Sequence, residues 1–156
     1  MAAFQWLFNA CRIPAPKEDY SVKIPETDAR GDHVVAIRKN RFYKVPITGK
    51  DGKRATVEAL REAFCSIYAM ADTEGEGAAL GNLTAGNRDH WADARAHLIE
   101  SDTNVKSLEA VEQAIAVVCL DQDKPSAKDA SFSKALWHGG EKSPRWWDKV
   151  RLQPFE

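Results

Sequence analysis

The apolar positions of this chain change their period along its length, and each change marks an element. The stretch "HVVAIRKNRFYKVPI" holds two short apolar runs, Val34 to Ile37 and Phe42 to Ile47, on either side of the polar "RKNR". Runs of this kind around a polar break predict a β-hairpin. The cluster "TGKDGK" after it reads as a turn. From there the period lengthens: Val57, Leu60, Phe64, Ile67 and Ala71 recur at helical spacing, which predicts an amphipathic helix over residues 56 to 72 with Thr56 as its N-cap. "TEGEGAALGN" reads as a loop. A second helix is predicted from about Arg88 to Glu100, capped by Asn87, with Trp91, Ala94 and Leu98 inward. A third begins near Asn104, carries Leu108, Val111 and Ile115, and runs into "AVVCLD", whose continuous β-branched character predicts a buried strand.

The two ends are read from their prolines and glycines. Ala2 to Arg12 is expected to form a short helix that stops before Pro14 and Pro16, because the residue before a proline avoids helical geometry. Residues 13 to 32 are expected to be an irregular, charged connection. Ser126 and Asp129 resemble a capping box opening a further helix that carries Phe132 and Leu136 and stops at Gly139 and Gly140. The last residues, "SPRWWDKVRLQPFE", approach a strand through Val150, Leu152 and Phe155. The expected fold class is α/β, a mixed β-sheet covered by helices, with one domain across residues 1–156 and no internal repeat.

Composition narrows the partners. Lys and Arg number 22 against 23 for Asp and Glu, so no global field favours nucleic acid or an anionic membrane. The 44% hydrophobic content suits a globular chain, and no apolar run approaches the roughly 18 residues of a membrane span. Cys11, Cys65 and Cys119 are odd in number and lack C-x-x-C spacing, which argues for an intracellular, reducing compartment and against a zinc site. The opening "MAAFQWLFNACRIPAPK" has no basic leader and is interrupted by Gln5 and Asn9, so it does not read as a secretion signal.

No active site emerges from residue chemistry alone. His33 opens a strand without an acid or nucleophile at a useful spacing, and reads as a surface or strand-end residue. His97 sits among charges on a helix, and His138 before two glycines suits a helix C-terminus. His90 in "RDHWADAR" has Asp93 one turn away, yet Trp91 and Ala94 define the buried face and leave His90 at its edge. Thr84, Ala85 and Gly86 before a helix are explained by a turn and cap rather than an anion site. Trp146 and Trp147 between Arg145 and Lys149 are expected to pack at the root of a strand rather than stack on a base. Glycine-rich phosphate loops, H-E-x-x-H and G-x-S-x-G are all missing.

Five stretches, taken in order, do carry a resemblance: "FNACRIPAPKEDY", "HVVAIRKNRFYKV", "LGNLTAGNRDHWADAR", "VEQAIAVVCLD" and "ALWHGGEKSPRWWDK". Together they resemble the choline/carnitine O-acyltransferase family, and most its carnitine acetyltransferase branch. "RWWDK" is similar to the opening of that family's second signature, an Arg, an aromatic, any residue, Asp and Lys before an apolar strand. The resemblance implies a chloramphenicol-acetyltransferase-like domain, a monomer, and acyl-CoA and carnitine as substrates. It implies a mitochondrial or peroxisomal setting in fatty acid metabolism.

The family's mechanism is direct acyl transfer: a histidine takes the proton of the carnitine 3-hydroxyl, and the alkoxide attacks the acyl-CoA thioester. A serine hydroxyl and the substrate's own trimethylammonium stabilise the oxyanion. That histidine lies in a Glu-His-x-x-x-Asp-Gly segment after the strand that follows "RWWDK". The resemblance thus implies that this chain is an interior slice ending short of its base, and that catalytic, cofactor-binding and metal residues within it are none. "HWADA" around His90 has two residues between His and Asp where the family has three, and lies in a separate family stretch, so it is a decoy.

Arg151 places a charge where the signature expects an apolar or unconstrained residue, and Gln153 and Pro154 interrupt the strand. The expectation is a scaffold that is inactive and weakly stable alone. The alternative is a non-catalytic interaction or regulatory module built on the same scaffold.

Overall fold

The computed structural model describes residues 6–121 and 145–152. The hairpin forms as β3 (His33–Arg38) and β4 (Arg41–Pro46), joined by the two-residue turn Lys39 and Asn40. Both turn residues have positive φ, 50° and 58°, the geometry whose twist matches that of the flanking strands. Helix α1 (Val57–Glu74) starts where Thr56 Oγ1 accepts from the Ala59 N–H and stops at Gly75, whose φ is 72°. Helix α2 (Arg88–Leu98) is capped by Asn87, which accepts from the N–H groups of Asp89 and His90. Helix α3 (Asp102–Glu112) begins two residues before the expected start and ends before Ile115, and the chain then enters β5 (Val117–Cys119). The short strand β6 (Arg151–Leu152) follows the "RWWDK" segment.

These strands make a four-stranded sheet in the order β4-β3-β5-β6, with β3, β5 and β6 parallel and β4 antiparallel. Alternation along β3 divides the apolar residues between two faces. Val35 and Ile37 meet Trp91 of α2, Leu108 and Val111 of α3, Val117, Cys119 and Trp146 on one face. Ala36 meets Ile67 of α1 and Leu120 on the other, where Leu60, Ala63 and Phe64 pack in support. The result is the expected α/β arrangement, with α1 on one side of the sheet and α2 and α3 on the other. Val57, expected inward on α1, is instead 76% exposed, because it occupies the first helical position beyond the reach of the sheet.

Two expectations are overturned near the N-terminus. Residues 10–13 are not helical: Ala10–Ile13 form strand β1, paired antiparallel with β2 (Tyr20–Lys23), which lies inside the segment read as irregular. Tertiary bonds decide the matter. Asn9 N–H donates to the Ile115 carbonyl at 3.0 Å, Arg12 N–H donates to the Asp148 carbonyl at 2.8 Å, and Cys11 and Ile13 are buried. Pro14 and Pro16 favour extended backbone before them, which fits the strand equally well. The loop expected at "TEGEGAALGN" contains the start of a 3-10 turn, Leu80–Ala85. The helix expected after Ser126 and the prolonged strand through Phe155 lie outside the described residues.

Gly81 of that 3-10 turn makes the tightest approach among the described glycines. A Cβ there would overlap the Arg145 carbonyl oxygen, so the turn can touch the "RWWDK" segment only without a side chain. Gly81→Ala is therefore expected to destabilise the fold by about 1–3 kcal/mol, measured as a lower urea midpoint at unchanged m-value. An unchanged midpoint would show that the approach is not required.

Candidate functional site

Charged side chains converge in the interior around the "RWWDK" segment, and each of its residues points to an anchor elsewhere in the fold. Arg145 donates to both carboxylate oxygens of Asp121, at 2.5 and 2.7 Å, just after β5. Trp146 enters the core edge-on, its ring centroid 5.7 Å from Trp91 and 5.8 Å from Phe42. The Trp147 N–H donates to Thr84 Oγ1, whose own hydroxyl donates to the Gly81 carbonyl. This is the packing role expected for the tryptophans and the turn role expected for Thr84.

Asp148 is the centre of the arrangement. Its carboxylate is 1% exposed and accepts from Trp91 Nε1 at 2.8 Å, Arg12 Nε at 3.0 Å and Arg88 at 3.3 Å. Asp19 pairs with Arg88 in turn and lies 3.8 Å from Arg12. One carboxylate thus ties β1, α2 and the approach to β6, with Asp19 closing the outer side. Reading the sequence singled out neither Arg12, Asp19 nor Arg88. Their only signal was charge within stretches that carry the family resemblance.

Lys149 is buried as well, and its ammonium donates to the carbonyls of Ala10 at 2.9 Å and Glu112 at 3.0 Å. Burial pushes it down to about 8, against the attraction of Cys11 and Glu112. Burial likewise pushes the Cys11 thiol up to about 12, so it is a packing group rather than a nucleophile. Arg151, the charge that departs from the signature, lays its guanidinium over the Trp147 ring at 3.9 Å. That stacking lets a cation occupy the strand.

Among the described residues, no histidine hydrogen-bonds to this cluster. His33 is a strand end, as expected, but not a surface residue: it is 1% exposed, and its Nε2–H donates to the Ala110 carbonyl of α3 at 2.6 Å. His90 is exposed on α2. Asp93, one turn from it, offers its carbonyl to His97 Nδ1 at 2.9 Å. That contact and the Asp93 carboxylate raise the His97 pKa. His138 lies outside the described residues. Among the described residues no three His, Cys, Asp or Glu side chains gather as a metal would require, and no helix is long and apolar enough to cross a membrane.

A buried strap thus fixes a strand at one side of a four-stranded sheet that carries helices on both faces, an α/β arrangement. The chain belongs to the choline/carnitine O-acyltransferase family, whose model, described as Choline/Carnitine o-acyltransferase, matches residues 1–153. It is similar to the carnitine O-acetyltransferase of Columba livia, 27% identical over 159 residues that cover 96% of this chain and 25% of that protein. It is similar to the mitochondrial carnitine O-palmitoyltransferase 2 of Rattus norvegicus, 33% identical over 150 residues, covering 96% of this chain and 21% of that protein. The peroxisomal carnitine O-octanoyltransferase of Bos taurus is 27% identical over 155 residues, with 96% and 25% covered. The chain spans about a quarter or less of the length of these relatives.

His33 yields a test of the buried geometry. Burial lowers its pKa from 6.5, with Lys44 and Lys149 adding to the same direction. The unfolded chain therefore binds this proton more readily, so the stability it contributes is complete above about pH 6.5 and is lost as pH falls below that value. In His33→Gln, the decline of urea stability between pH 7 and pH 5 is expected to be shallower than in the parent chain. Equal slopes would place the ring in contact with water.

Proposed function

We propose that this chain is a scaffold segment of a carnitine acyltransferase that moves acetyl and other short acyl groups between CoA and carnitine. The carrying observation is the anchoring of "RWWDK": four of its five side chains are tied to residues distant in the fold, and the fifth stacks under Arg151, so the direction in which β6 leaves the core is fixed. In the family's order that strand precedes the histidine segment. The segment's role is then to hold the catalytic base in register, since a small misplacement of a reacting group costs much of the rate. The base, the CoA site and the carnitine site belong to polypeptide outside residues 1–156, and the chain by itself is inactive.

The short-acyl preference rests on the five stretches that resemble the carnitine acetyltransferase branch. A mitochondrial or peroxisomal setting, in the handling of fatty acyl groups, follows from the relatives' names. The second reading, a non-catalytic interaction or regulatory module, has one observation in its favour: among the described residues no histidine faces an acid or nucleophile in a cleft.

The test is acyl transfer from acetyl-CoA to carnitine, followed as free thiol. The 156-residue chain alone is expected to give no turnover. The polypeptide that continues it through the histidine segment is expected to turn over, and to lose about 10²–10⁴-fold when that histidine is replaced. Turnover by the chain alone contradicts the scaffold role, and absence of turnover from the longer polypeptide favours the module.

A further inference from the structure

Between β4 and α1 the chain makes a tight turn at the surface. Gly49 N–H donates to the Lys53 carbonyl at 2.8 Å, Gly52 reverses the chain with a φ of 76°, and Thr48 pairs with Arg54 across the turn. Ala55 N–H then donates to the Ile47 carbonyl at 2.9 Å. The chain therefore leaves the turn extended, and Thr56 is still extended, with φ −71° and ψ 163°, where α1 begins. Lys53, Arg54 and Thr56 are all exposed.

The sequence of this exit, "KRATV", puts cations three and two places before a hydroxyl and an apolar residue one place after it. The other adjacent basic pair, Arg38 and Lys39, is followed by Asn40 and Arg41 and leads to no hydroxyl at that spacing. Val57 is 76% exposed, the most of any large apolar side chain among the described residues, so it is available to a partner. Arg54 is held by Asp32 at 2.6 Å, but its side chain is 68% exposed, and an exposed pair of this kind is weak and readily exchanged. Upstream cations, an accessible hydroxyl on extended backbone and a downstream apolar side chain are the charge pattern that a protein kinase with a carboxylate-lined substrate groove selects.

We propose that Thr56 is a phosphorylation site for a protein kinase that selects basic residues ahead of its target. The kinase's acidic groove takes Lys53 and Arg54, and an apolar pocket takes Val57 as the first turn of α1 opens, a motion that helix ends undergo readily. Thr56 Oγ1 attacks the γ-phosphorus of ATP, the bond to the ADP oxygen breaks, and the hydroxyl proton passes to the kinase's catalytic carboxylate. The phosphate then strengthens a cap already in place. Thr56 Oγ1 accepts from the Ala59 N–H at 3.2 Å, and phosphate oxygens reach the same first-turn N–H groups, which lack partners within the helix. Glu58 in the first turn opposes the new charge, and Lys53 and Arg54 outweigh it. The outcome is a firmer start to α1, the helix that covers one face of the sheet. This site does not depend on the acyltransferase reading.

The experiment incubates the 156-residue chain with ATP and the catalytic subunit of a cyclic-AMP-dependent protein kinase, and locates the phosphate by mass spectrometry. One phosphate per chain is expected, on Thr56. Arg54→Ala and Lys53→Ala are each expected to lower kcat/KM for the transfer about tenfold. Thr56→Asn keeps a capping acceptor at the start of α1, so it is expected to unfold at the parent's urea midpoint while taking up no phosphate. The phosphorylated chain is expected to unfold at a higher urea concentration than the unmodified one. A kinase that selects acidic residues is expected to leave Thr56 untouched. An unmodified Thr56, uptake by Thr56→Asn at the parent rate, unchanged rates in both alanine variants, or a urea midpoint that phosphorylation leaves level or lowers each overturns the proposal.

Discussion

A carboxylate taken out of water has to be met by cations and donors, or the fold that buries it is lost. Asp148 meets that demand with Trp91 from α2, Arg12 from β1 and Arg88 from the first turn of α2. Each donor comes from an element whose place is otherwise weakly determined: β1 belongs to a two-stranded ribbon, and α2 has only eleven residues. The shared acceptor couples them. If α2 shifts, Trp91 leaves both the carboxylate and the edge-on stack with Trp146, so polar and apolar terms fail together. Lys149 extends the coupling by bonding the last residue of α3 and the first of β1.

This coupling joins fold to function. A strand of two described residues gains little from its own pairing, so the orientation of β6 is set by the segment before it. "RWWDK" works as a strap whose residues alternate between anchors: Asp121, the tryptophan stack, the Thr84 turn, the Asp148 cluster and the Lys149 carbonyl pair.

The elements legible in the sequence were those whose local signals agree with their tertiary setting. The β3–β4 hairpin, α1 with Thr56, α2 with Asn87 and the buried strand at Val117 each combine a clear period with a cap or turn. β1 and β2 were missed because only four residues of each pair, and Asn9, Arg12 and Lys149 hold them through contacts distant in sequence. The burial of His33 was missed for a related reason: its partner carbonyl, Ala110, lies 77 positions away. The charge cluster was half legible. Asp148 and Lys149 stood out through the signature, whereas Arg12, Asp19 and Arg88 looked like ordinary solvated charges until the fold brought them together.

The most direct test of the central claim is urea unfolding of Asp148→Asn beside the parent chain. The asparagine keeps the size of the side chain but removes the charge that Arg12 and Arg88 share, and the account predicts a loss of about 3 kcal/mol with the Trp91 indole N–H losing its exchange protection. A loss below about 0.5 kcal/mol, the range of ordinary surface substitutions, would contradict it and return β6 to being held by apolar packing alone.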